Sequence, residues 1–196
     1  MILYDSNKCV GCNTCIRNCP APEANISKIG PDGGIYIEID DKKCIKCGKC
    51  IKVCDHDARD FEDDTKQFWR DLNSGEPIAL IVAPAVKISF DGYWRHVLQY
   101  LRKRGVAKIF DVSLGADICT WAHLRYLEKN PGAKVISQPC AAIVNYIQKY
   151  EHELLDNLSP VQSPMLCTAV YAKKYLGVDC KIAALSPCIA KKDEFN

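Results

Sequence analysis

Thirteen of the 196 residues are cysteine, and eight of them fall into two copies of one spacing. The first copy reads CVGCNTCIRNCP at 9–20 and the second CIKCGKCIKVCD at 44–55. Each is C-x2-C-x2-C-x3-C, so the chain holds an internal repeat whose period is the distance from Cys9 to Cys44. The spacing has a mechanical reason. Three thiolates two residues apart wrap one cube of iron and sulfide in a tight loop, and the fourth cysteine, opening a helix that points away, reaches the other cube. The pattern assigns Cys9, Cys12, Cys15 and Cys54 to one 4Fe–4S cluster and Cys44, Cys47, Cys50 and Cys19 to a second.

Zinc and disulfide readings compete with this one. Two complete copies of the cluster spacing favour iron–sulfur ligation over either. The start, MILYDSNKC, carries no apolar signal segment, and the longest apolar run, IALIVAPAV, is too short to span a bilayer and contains Pro84. The expectation is a soluble, cytoplasmic protein with no membrane partner. A formal charge of +2 gives no pull toward nucleic acid. The run Arg102–Lys103–Arg104 reads as cations closing a helix. An oxidised cube on four thiolates carries a net charge of about −2, so two clusters make the loaded chain mildly acidic. His56, beside the second motif, reads as a solvated neighbour.

Residues 1–65 resemble the two-cluster bacterial ferredoxins, with one departure: Asp55 stands where the first copy has Pro20. PDGG at 31–34 marks a turn and IYIEID alternates as a strand does. The expected domain is α+β, two short hairpins and two short helices around two clusters. Residues 66–76 are polar, run into NSGEP at 73–77 and read as a linker, with Trp69 docking the domains together.

From 77 to 196 the pattern becomes strand–helix alternation. PIALIVAPAV, VAKIFDV, AKVIS and CKIAALS read as strands. YWRHVLQYLRKRG, ADICTWAHLRYLEKNPG, CAAIVNYIQKY and SPMLCTAVYAKKYLG read as helices. This predicts an α/β domain with a mostly parallel sheet. In such sheets ligands sit beyond the carboxyl ends of the strands. APAV at 83–86, SQPC at 137–140 and SPC at 186–188 all lie there. Cys140 and Cys188 each follow a strand, open a helix and are preceded by proline. A helix N-terminus favours the thiolate, the metal-binding form. Lys191 and Lys192 follow Cys188 within a turn, placing an ammonium over an anionic ligand. The alternative is two buried thiols without a role. Cys119, Cys167 and Cys180 read as small core residues, and Trp94 and Trp121 as core aromatics.

The order of a two-cluster ferredoxin, IVAPAV, FDVSLGAD, SQPCAAIVNY, LSPVQSPM and LSPCIAKKDEF resembles the FeFe hydrogenases along essentially the whole chain. The resemblance implies a partial H-cluster domain. Cys140 and Cys188 would be two of four cysteines holding a cubane joined to a diiron site with CO and cyanide ligands, which interconverts protons and hydrogen. Lys191 matches a lysine that hydrogen-bonds a cyanide, and Ala83 and Pro84 match the loop against the diiron unit. Pro139 replaces a proton-relaying cysteine, Ser186 a methionine, Ala122 and His123 paired acids, and Met165 a glutamine. These changes resemble the sensory branch of the family, in which slow turnover reports hydrogen to a signalling output; His123 is a substitute relay or a packing residue. The glycine-rich motif with the remaining two cubane cysteines has no counterpart. The expectations are a longer hydrogenase of which this is a piece, a second chain that completes the site, or an electron-transfer protein that has lost the H-cluster. A redox partner, a ferredoxin or other electron carrier, is expected in each case, and a signalling module in the sensory one. Anaerobic life suits such a centre.

Overall fold

The computed structural model describes residues 1–195. The elements run β1 (Ile2–Tyr4), α1 (Thr14–Arg17), β2 (Asn25–Ile29), β3 (Ile35–Ile39), α2 (Lys49–Lys52), β4 (Arg59–Phe61), α3 (Thr65–Asn73) and β5 (Ile78–Val82). They continue through α4 (Val86–Ser89), α5 (Trp94–Lys103), β6 (Lys108–Asp111), α6 (Ser113–Lys129), α7 (Ala141–Tyr150), α8 (Pro164–Lys174) and β7 (Lys181–Leu185). Two 3-10 helices, His152–Asn157 and Ile189–Glu194, complete them. They form two compact units. One comprises residues 1–63, 141–153 and 188–195; the other comprises 64–140 and 154–187.

In the first unit β2 and β3 make the hairpin expected from PDGG, with Ile29 opposite Ile35 and Asn25 opposite Ile39. The Asp32 carboxylate accepts from Gly34 N at 3.0 Å and closes the turn. The second strand pair is not a hairpin. It joins β1 to β4, Ile2 opposite Phe61, from opposite ends of the cluster-motif region. The fourth cysteines do not open helices, contrary to the expectation from spacing. The short helices α1 and α2 instead carry the third cysteines, Cys15 and Cys50, and end before Cys19 and Cys54. Asn13 (φ 60°) and Gly48 (φ 76°) bend the loop into each helix, and Pro20 disfavours helical backbone at Cys19. The apolar core gathers Ile2, Ile37, Ile39 and Ile45 around the buried thiols Cys15, Cys44 and Cys50, with Tyr146, Tyr150 and Ile189 packed against it.

The second unit is built on a three-stranded parallel sheet in the order β6-β5-β7. Central β5 is buried at all five positions, as a strand covered on both faces must be. Several sequence expectations change here. AKVIS makes one bridge, Ile136 to Leu158, and no ladder. Only Val135 and Ile136 are large apolar residues there, and Pro139 comes soon after, too little to hold a buried strand. Residues 65–73 are a helix, not a linker. Phe68, Trp69 and Leu72 share the apolar face of α3 and pack with Leu80, Leu101 and Val106. Trp69 therefore serves the core of its own unit, edge-on to Tyr100, with the Arg104 guanidinium 5.7 Å from its ring. Cys119 and Cys167 are buried and Cys180 half-buried, but Trp121 is 63% exposed on α6 and is not a core residue. Trp94 is half-buried with Lys87 and Arg95 over its ring.

Helices α6 and α8 are in close contact at Gly115. A Cβ there would lie 2.0 Å from the Pro164 carbonyl oxygen and 2.1 Å from Thr168 Oγ1. Backbone cannot yield that distance without separating the helices. Gly115→Ala should therefore cost about 2–3 kcal/mol, more than an ordinary overpacking change, read as a lowered midpoint in denaturant unfolding.

Candidate metal centres

Cys9, Cys12, Cys15 and Cys54 line one cavity, walled by Val10, Ile37, Val53 and Ala58 and reached by Thr14, His56 and Arg59. His56, read as a solvated neighbour, is exposed and also borders this cavity. Ile37 N donates to Cys9 Sγ at 3.4 Å. Thr14, whose Oγ1 lies 3.4 Å from Cys12 Sγ, holds the Cys12 thiol below its ordinary pKa. Arg59 is 6% exposed, and its Nη2 donates to Cys15 Sγ at 3.3 Å and to the Ile37 carbonyl at 2.9 Å. Its Nη1 is buried without a partner.

A guanidinium in an apolar wall is costly unless an anion faces it. Four thiolates on an oxidised cube supply such an anion, of charge about −2, so the residues present fit a 4Fe–4S cluster. Among the described residues no three of His, Cys, Asp and Glu converge closely enough to grip a single metal ion, and all thirteen cysteines are free.

The second set is Cys19, Cys44, Cys47 and Cys50. Cys44 and Cys50 are buried, Cys19 half-buried and Cys47 exposed. Burial pushes the Cys50 thiol up to about 11, with Cys44 and Cys47 adding to the rise and Arg59 opposing it. Burial also raises Cys44, with Cys19 and Cys47 contributing. Lys46 N donates to Cys44 Sγ at 3.4 Å.

The remaining residues singled out by sequence lie in both units. Ala83 comes directly after β5 and its N–H donates to the Leu185 carbonyl at 2.9 Å; Pro84 beside it is exposed. Pro139 and Cys140 are exposed immediately before α7. Ser186 is half-buried after β7. Met165 is buried among Ile81 and Val112. Cys188 is exposed, in extended conformation, and caps the 3-10 helix Ile189–Glu194. Lys191, expected to lean over an anionic ligand, is ion-paired to Glu194, and both side chains are 12% exposed. His123 Nδ1 lies 2.9 Å from the Cys119 carbonyl of its own helix, and its Nε2 is buried without a partner.

The structure adds residues that the sequence did not single out. Ala141 and Ala142 pack against Ala190, bringing α7 and the 3-10 helix together. Asn145 Nδ2 donates to Asp193 Oδ2 at 2.8 Å, and Lys46 forms an ion pair with the same carboxylate. Lys149 Nζ donates to the Cys44 carbonyl at 2.8 Å, and Tyr150 hydroxyl to the Lys43 carbonyl at 2.8 Å. The segments directly after Cys140 and Cys188 in the chain are thus fastened to the loop carrying Cys44 and Cys47. Burial pushes the Asp193 carboxyl up, but Lys46 and Asn145 outweigh it and hold the carboxyl below its ordinary range. A depressed carboxylate stabilises the fold above its unfolded pKa and loses that contribution as pH falls through the folded value. Asp193→Asn should therefore raise hydrogen exchange in 189–194 about tenfold at pH 7, and the difference from the parent chain should close as pH falls below about 4.

Residues 8–58 match the 4Fe-4S dicluster domain model. Residues 76–196 match the model of the iron only hydrogenase large subunit, C-terminal domain. The periplasmic [Fe] hydrogenase large subunit of Nitratidesulfovibrio vulgaris is 30% identical, over 98% of this chain and 51% of its own length. Iron hydrogenase 1 of Clostridium pasteurianum is 28% identical, over 63% of this chain and 25% of its own. The chain thus spans about half or less of the curated relatives it matches. A variant of the apo [FeFe]-hydrogenase of Chlamydomonas reinhardtii shares the fold at 21% identity and a TM-score of 0.55, covering 68% of this chain and 40% of that one. Among the described residues no helix is long and apolar enough to cross a membrane. Its dicluster motif and the match over residues 76–196 place this chain in the iron-only, or FeFe, hydrogenase family.

Proposed function

We propose that the chain is the electron-carrying and partial catalytic region of an FeFe hydrogenase of the slow, hydrogen-sensing kind. Cys9, Cys12, Cys15 and Cys54 hold one 4Fe–4S cluster, and Cys19, Cys44, Cys47 and Cys50 the other. Cys140 and Cys188 provide two of the four thiolates of an H-cluster cubane. When bound, that centre supplies proton reduction and hydrogen splitting at a diiron unit. The chain's own residues bind and orient. Ala83 and Pro84 border the diiron unit, Lys191 donates to it once released from Glu194, and Ser186, Pro139 and Met165 shape its surroundings without relaying protons.

The observation that carries this reading is the cavity lined by four thiols and faced by a buried guanidinium with one nitrogen unpartnered. The docking of α7 and the 3-10 helix on the Cys44 loop supports an electron route from the second cluster toward the segments headed by Cys140 and Cys188. Electrons arrive from a ferredoxin or similar carrier. A further polypeptide segment brings the other two thiolates. The exposed apolar side chains Leu114, Trp121, Leu124 and Leu127 along α6 are a surface suited to such a segment. The three cysteines without a cluster role, Cys119, Cys167 and Cys180, are free, which suits the reducing cytoplasm.

A second reading, an electron-transfer subunit without an H-cluster, is favoured by one observation: Lys191 is engaged by Glu194. The two separate cleanly. In the chain matured with its completing segment, infrared bands of iron-bound CO and cyanide are expected, and Cys140→Ser should abolish both the bands and hydrogen evolution while leaving about eight irons in the ferredoxin-type clusters. Absence of the bands in the parent protein would favour the second reading.

A further inference from the structure

The internal repeat of the first unit is not symmetric in charge. After its fourth cysteine each copy passes a residue of positive φ, Glu23 (55°) or Asp57 (49°), and then a buried alanine, Ala24 or Ala58. The two alanine carbonyls accept equivalent amides, Asp40 N and Asp5 N, each at 3.0 Å. Strands β2 and β4 therefore begin at matched residues, Asn25 and Arg59. Both are buried, at 8% and 6% exposure, and both leave a side-chain atom unpartnered, Asn25 Oδ1 and Arg59 Nη1. One copy holds a neutral amide where the other holds a permanent cation.

Arg59 is fixed toward one set of thiols. Its Nη2 donates to Cys15 Sγ and to the Ile37 carbonyl, its guanidinium carbon lies 5.9 Å from the Tyr4 ring centroid, and it lines the cavity of Cys9, Cys12, Cys15 and Cys54. Reducing a cluster adds one negative charge. A buried cation beside the sulfurs stabilises the reduced form, with little screening by solvent. The effect is carried to the iron by a hydrogen bond to a ligand sulfur, one of the levers that set cluster potential.

We propose that Arg59 is a tuning residue that makes the two clusters inequivalent: the cluster on Cys9, Cys12, Cys15 and Cys54 has the higher reduction potential, and the first electron to enter the chain rests there. This rests on the cluster assignment above. The sulfur hydrogen bond of Arg59 goes to Cys15 of the first set, so the second cluster, reached only through space, shifts in the same sense and by less.

The test is protein-film voltammetry of the full chain, reconstituted anaerobically with iron and sulfide, with iron counting alongside. The parent chain should hold about eight irons and give two one-electron waves. Arg59→Gln keeps a donor and removes the charge. It should move the higher wave negative by about tenfold in the reduced-to-oxidised ratio, about 59 mV for one electron. Arg59→Lys should restore most of that shift. Asn25→Asp, which places an anion at the matched position, should lower the other wave and widen the gap. One unresolved potential in the parent chain, equal shifts of both waves in Arg59→Gln, or an Asn25→Asp shift confined to the higher wave would each overturn the proposal. Far fewer than eight irons in the parent chain would contradict the cluster assignment itself, and the proposal with it.

Discussion

The first unit depends on the meeting of buried thiols with a buried guanidinium. Cys15, Cys44 and Cys50 lie inside the apolar core with Ile2, Ile37 and Ile39, and Arg59 reaches in among them with one nitrogen unpartnered. Neither group is at home there alone. Burial raises the pKa of Cys44 and Cys50, so metal must displace protons held more tightly than usual, and a bare guanidinium loses its hydration. An iron–sulfur cube answers both: it takes the thiols as thiolates and gives the cation a counter-charge. Folding of this unit and loading of its clusters are therefore coupled.

That core also organises segments far along the chain. Helix α7 and the 3-10 helix Ile189–Glu194 belong to the same compact unit although more than eighty residues of sequence separate them from the second motif. Asp193, Asn145, Lys46, Lys149 and Tyr150 tie them to the Cys44 loop with side-chain contacts to its backbone and to one another. Cys140 and Cys188 stand directly before these two anchored segments. This is the physical link between an electron-carrying repeat and a second iron centre in the proposed function.

Local chemistry was legible in the sequence wherever it depends on spacing. The C-x2-C-x2-C-x3-C repeat reports the two thiol sets because ligand geometry demands it, and the buried run IALIV reports the central strand because nothing else has that composition. Family membership emerged from the ordered motifs around Cys140 and Cys188. The features that stayed hidden depend on tertiary partners. AKVIS has the composition of a strand but too short an apolar stretch to keep a neighbour beyond one bridge. Residues 65–73 look polar because only Phe68, Trp69 and Leu72 face inward. Trp121 has the composition of a core residue on a helix whose inner face is taken by Gly115 and Cys119. Arg59 and Asp193 carry no local signature, since a charged residue is usually solvated and only the fold reveals that Arg59 is buried and Asp193 half-buried among partners.

Whether the buried thiols hold two iron–sulfur cubes is read by Mössbauer spectroscopy with iron and sulfide analysis on the anaerobically purified chain. About eight irons per chain, all in cubanes, are expected, and the loss of about four when Cys15 or Cys50 is replaced by serine. Mononuclear iron, or zinc at the thiol sets in place of iron and sulfide, would contradict the two cubes.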